Sequence, residues 1–216
     1  MKQPLHIALL GDSIFDNGAY TSGGPDVVAH LNRALPGGSQ ATLCAVDGAT
    51  CDDVHAQIAR VPSDATHLLL SAGGNDALMA SPVLMQPASL VAEALFTLAD
   101  VAQAFEARYS RLLDALVATG LPLTVCTIYN PRFTDPLQQR VTVAALCHFN
   151  DVIVRQAREH GVPLLDLRPL CTTDEDYGNE IEPSSQGGAH IAAAIAQLVS
   201  THDFATRHTV LYPLPG

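Results

Sequence analysis

Five short apolar runs, each unbroken by polar alternation and each followed by a helical pattern, constrain this 216-residue chain more than any other feature. Residues 5–10 (LHIALL), 41–46 (ATLCAV), 67–72 (HLLLSA), 121–128 (LPLTVCTI) and 162–167 (VPLLDL) read as buried strands. A strand covered on both faces has no solvent side to alternate toward, which is the condition of a parallel sheet between two helix layers. Helical periodicity fills the intervals at 26–35, 52–61, 89–119 and 137–160, and a last helix is expected at 185–201. In the long helix Val91, Leu95, Leu98, Ala102, Phe105, Tyr109, Leu112 and Leu116 recur at helical spacing and are expected to form its buried face. Strand–helix repetition of this kind predicts a doubly wound α/β sandwich with right-handed crossovers. One domain over residues 1–201 accounts for the pattern. It lapses over residues 202–216, which are expected to form a C-terminal tail on the surface.

Charge and targeting patterns narrow the function. Acidic residues outnumber basic ones 22 to 11, for a formal net charge of −11. Such a body is repelled by nucleic acid and by anionic membranes, so neither is expected as a partner. The apolar run before Gly11 and Asp12 is too short for a signal peptide or a membrane span, and Lys2 is the chain's single lysine. Cys44, Cys51, Cys126, Cys147 and Cys171 form no C-x-x-C pair. They are expected to be reduced thiols of a cytoplasmic protein, several of them small core residues. Nine histidines invite a search for metal ligands, but none falls in an H-E-x-x-H or similar spacing. No metal and no cofactor is expected.

In a doubly wound fold, ligands bind beyond the carboxyl ends of the strands. The segments there are GDSIFDNG (11–18), VDGAT (46–50), AGGND (72–76), IYNPRF (128–133) and NEIEPSSQGG (179–188). They contain no dinucleotide or P-loop fingerprint and no G-x-S-x-G elbow. Ser13 stands at the end of the first strand, where a turn exposes its hydroxyl and frees its backbone N–H. Gly48 presents its N–H with no side chain in the way. The Asn75 amide points into the same crevice. Converging on one point, these three donors would form an oxyanion hole, which serves acyl transfer. Arg132 has two readings: it holds a substrate carboxylate or phosphate, or it ties down a loop through a carboxylate such as Asp135.

With Gly11-Asp12-Ser13, Gly48 followed by Thr50, and Gly73-Gly74-Asn75-Asp76 in this order, the chain resembles the SGNH/GDSL hydrolases over residues 5–200. The resemblance implies a flavodoxin-like three-layer α/β/α sandwich with a five-stranded parallel sheet. It also implies cofactor-free hydrolysis of esters and acylated carbohydrates or lipids. Ser13 would be the nucleophile, Gly48 and Asn75 the oxyanion donors, and Asp12 and Asp76 turn-stabilising partners. The family's Asp-x-x-His-Pro-Ser is replaced here by Asn179-Glu180-Ile181-Glu182-Pro183-Ser184. Proline, serine, Gly187 and Ile191 keep register, so Glu182 occupies the histidine position and Asn179 the aspartate position.

His190 is the only histidine near this segment. It falls with Ala194, Gln197 and Thr201, opposite the buried stripe of Ile191, Ile195, Leu198 and Val199, and reads as a solvated surface residue. Glu182 is then the candidate base. A carboxylate has a reference pKa of about 4.3, which burial beside Ile181 and Pro183 would raise. The expected function is Ser13-dependent hydrolysis of small carboxylic esters. One alternative is a catalytically impaired member of this fold that binds an acyl or glycosyl ligand. Another is a carboxylate-driven enzyme in which Glu180 and Glu182 activate a water.

Overall fold

A computed structural model describes residues 4–206 and 208–212. Lys2, Arg207 and the end of the expected tail, 213–216, lie outside the described residues. All five expected strands form: His6–Gly11 (β1), Gln40–Leu43 (β2), His67–Ser71 (β3), Leu123–Cys126 (β4) and Leu164–Leu165 (β5). A sixth, Leu211–Tyr212 (β6), pairs with β5 and brings part of the expected tail into the sheet. Two residues are too few to display any periodicity, so the sequence pattern did not mark it. The sheet order is β2-β1-β3-β4-β5-β6 and every pair is parallel.

Helices cover both faces. Val27–Ala34 (α1) and Ser185–Thr201 (α6) pack on one, where Ile7 and Leu9 point from β1. Cys51–Gln57 (α2), Val91–Val117 (α4) and Pro136–His160 (α5) cover the other, receiving Ala8 and Leu10. Successive strand side chains therefore enter two different cores, which is why the runs are apolar without alternation. The ends of α5 follow from local chemistry. Asp135 accepts the N–H groups of Leu137 and Gln138, Pro136 starts the first turn, and Gly161 closes the last at φ +63°. A short helix, Gly74–Ala80 (α3), precedes a 3-10 turn at Ser81–Met85.

The expected apolar face of α4 is buried only in its second half. Phe105, Tyr109, Leu112 and Leu116 are fully buried, Leu98 and Ala102 are half-buried, and Val91 and Leu95 are 79% and 55% exposed. Length explains the difference. A 27-residue helix runs about 40 Å, whereas a five-residue strand runs only about 17 Å. The first turns of α4 therefore overhang the sheet.

Candidate active site

The chain passes from β1 outward to β2, then crosses back to β3 on the other side of β1. This reversal opens a crevice beyond the carboxyl ends of β1 and β3. Gly11 fixes its floor. With φ at +130°, a Cβ there would lie 1.7 Å from the Ser71 carbonyl oxygen, so only glycine lets β1 and β3 approach. The Gln57 amide receives the Gly11 N–H and donates to its carbonyl, both at 2.8 Å. Just beyond this pinned residue, Asp12 accepts the Ile14 N–H at 3.2 Å and Ser13 sits 6% exposed in the crevice.

On the β3 side, Asn75 lies in the first turn of α3 and donates its side-chain amide to the Ala49 carbonyl at 3.1 Å. The loops after β2 and β3 are thereby tied together. Gly48, at φ +80°, sits exposed at the rim and does not line the cavity that holds Ser13 and Asn75. Asp76 accepts the Cys51 N–H at 3.0 Å and the Arg108 Nε–H at 3.2 Å, joining α2, α3 and α4.

Glu182 arrives from the far end of the chain. Asn179 Oδ1 accepts the N–H groups of Ile181 and Glu182, each at 2.9 Å, so it shapes the turn through the backbone. The Tyr129 hydroxyl donates to the Ile181 carbonyl. Asn17, fully buried, donates to the Pro183 carbonyl at 3.1 Å and accepts the Val27 N–H at 2.9 Å. Glu182 is 7% exposed, one of its oxygens lacks a partner, and the Ser13 side chain lies close enough to the carboxylate to influence its titration. Burial raises its pKa to about 7; the nearby Ser13 hydroxyl pulls it down and the Asp47 charge pushes it up. Asp12 is pushed to about 8, first by burial, against the pull of the Ile14 N–H and with the Glu182 charge adding to the rise.

His190 is half-exposed and does not line the cavity. Its Nδ1 lies 3.1 Å from Asp176, a buried carboxylate fourteen residues upstream that the sequence pattern did not connect to it. The helical-face reading needs one correction: Ala194 is 8% exposed and packs into the core, because α6 is covered on more than one side. Arg132 ties down a loop, but its partner is Asp174 at 2.5 Å, since Asp135 is occupied in capping α5. Glu180 is exposed at the cavity edge. Asn17 was missed because Asn-Gly reads as a local turn, which conceals its bonds to distant backbone.

Asp12, Ser13, Asn75 and Glu182 line one cavity of about 1300 Å³, walled by α3, α4 and α5. Residues 9–198 match the sequence model of the GDSL-like lipase/acylhydrolase family. The chain belongs to that family. As in other GDSL-like proteins, its fold recurs among solved structures. It is similar to the extracellular lipase of Streptomyces rimosus at 19% identity and a TM-score of 0.65, over 93% of this chain and all of that one. Phospholipase A1 from Streptomyces albidoflavus NA297 is similar at 16% identity and 0.65, with the same coverage. The acetyl xylan esterase AlAXEase follows at 18% and 0.61, over 92% of this chain and all of the other. At such identities the likeness speaks for the fold alone. No protein of curated function matches this GDSL-like sequence significantly.

Proposed function

We propose that this chain hydrolyses carboxylic esters through Ser13, with Glu182 as general base. The observation that carries the reading is a buried Glu182 carboxylate set beside the Ser13 side chain in one cavity. A carboxylate titrating at about 7 is a far better proton acceptor than an ordinary one at neutral pH. Glu182 takes the hydroxyl proton as Ser13 Oγ attacks the ester carbonyl carbon. The oxyanion is received by the N–H group of Ser13 and by the second N–H of the Asn75 amide, the first being used by Ala49. Collapse breaks the acyl carbon–oxygen bond, and Glu182 returns its proton to the departing alkoxide. The same carboxylate then deprotonates a water that attacks the acyl-enzyme, releasing the acid and restoring Ser13. All five cysteines are free thiols, which supports a cytoplasmic location.

Hydrolysis of a short-chain nitrophenyl ester tests the assignment. Ser13→Ala is expected to abolish it, and Glu182→Gln to lower kcat by about 10²–10⁴-fold. His190→Ala is expected to leave it within a few-fold. An unchanged Ser13→Ala rate would overturn the reading, and a large loss in His190→Ala would transfer the base role to His190.

A further inference from the structure

We propose that the ester this site accepts joins a long, unbranched acyl chain to an alcohol bearing no negative charge. The inference rests on the esterase reading above and specifies its substrate class.

The acyl side follows from the shape and lining of the cavity. Its inner end lies beside Ser13 among the buried Ala72 and Phe149 and the half-buried Ile128. Its outer end opens at Met85 and Leu137, which are 87% and 70% exposed. Along α5, Leu137, Val141, Ala145 and Phe149 recur every fourth residue and line it for three turns, about 18 Å. The lining also includes Ala77, Leu78, Val83 and Leu84, with Leu98 and Val101 from α4. A short acyl group would leave most of this apolar length in contact with water, whereas a decanoyl chain covers the larger part of it.

The alcohol side follows from charge. Four carboxyl groups, Asp12, Asp135, Glu180 and Glu182, line the cavity, and no Lys, Arg or His does so among the described residues. Outside Glu182 stand Asp47, which accepts the Tyr20 hydroxyl at 2.7 Å, and Asp16, which accepts the Asp47 N–H at 2.9 Å. The guanidinium of Arg132 is taken by Asp174. A phosphate or sulfate on the alcohol meets carboxyl groups and no cationic side chain to balance it here, while a hydroxyl or an ammonium meets acceptors.

The experiment compares kcat/KM for decanoylcholine, 1-decanoylglycerol and 1-decanoylglycerol 3-phosphate, all below micelle formation, with acetylcholine as the short-chain reference. Decanoylcholine is expected to exceed acetylcholine, and both uncharged and cationic decanoyl esters to exceed the phosphate ester, by about tenfold or more. Ala145→Phe is expected to lower the decanoyl-to-acetyl ratio, and Leu137→Asp, at an exposed position, gives the same direction should Ala145→Phe fail to fold. Glu180→Arg is expected to raise the phosphate ester relative to the glycerol ester. Equal rates for acetyl and decanoyl esters, or a preferred phosphate ester, overturn the inference while leaving Ser13-dependent hydrolysis intact. If no ester is cleaved, the esterase reading fails separately. Calorimetric binding of the same four compounds to the Ser13→Ala protein then decides: the same order of affinity upholds the inference, and an equal, reversed or absent binding overturns it.

Discussion

Glu182 combines two properties that a surface carboxylate cannot have together, a position beside a serine hydroxyl and a titration point moved up to about 7 by burial. In the proposed mechanism Glu182 acts only when ionised, so kcat/KM for an uncharged ester is expected to rise with pH through a midpoint near 7. Asp47→Asn removes a negative charge that helps hold that value up, so the midpoint should move to lower pH; a pH–rate profile of both proteins checks it. The location of this residue was legible because Pro183, Ser184, Gly187 and Ile191 keep the family's register, and its burial was legible from Ile181 and Pro183 on either side. Partners distant in sequence were not. His190 with Asp176, Arg132 with Asp174, and Asn17 with Pro183 are meetings arranged by the fold, and no local spacing encodes them.

At the level of elements, two contacts hold the site in place. Gly11→Ala would drive a Cβ into the Ser71 carbonyl at the β1–β3 seam. A loss of at least about 3 kcal/mol is expected in urea unfolding, because backbone overlap cannot relax as a flexible side chain can. Asn17→Ala would leave the Pro183 carbonyl and the Val27 N–H without their partner. About 1–3 kcal/mol for each buried group left unpaired is expected, together with a fall in esterase activity as the Glu182 turn loosens. Calorimetric melting and a rate assay on one preparation measure both effects. Elements carrying several periodic turns, such as α1, α5 and α6, were readable to within a residue or two. Periodicity also found α4 but not its surroundings. Val91 and Leu95 fit the stripe as well as Phe105 does, and only the short reach of the strands beneath leaves them uncovered.

Across the whole molecule, buried carboxyls set how stability responds to pH. Glu182 moves from 4.5 to about 7 and Asp12 from 3.8 to about 8, so the folded chain keeps protons that the unfolded chain releases. Stability therefore falls as pH climbs from the ordinary carboxylate range toward 8. Asp166 and Asp176 act in the opposite sense: both are held below 3.8, against burial, by their hydrogen bonds, and their contribution is lost in acid. Maximum stability is expected at mildly acidic pH. Glu182→Gln should match the wild type at pH 5 and exceed it by about 1–3 kcal/mol at pH 8, as measured by chemical denaturation at the two values. The stitch between Asn17 and Pro183 spans 166 residues of sequence. During synthesis Ser13 emerges early, whereas Glu182 and the helix that follows it emerge near the end. A nascent or C-terminally shortened chain thus carries Ser13 without Glu182, and under the proposed mechanism hydrolysis is expected to begin only once the fold is complete.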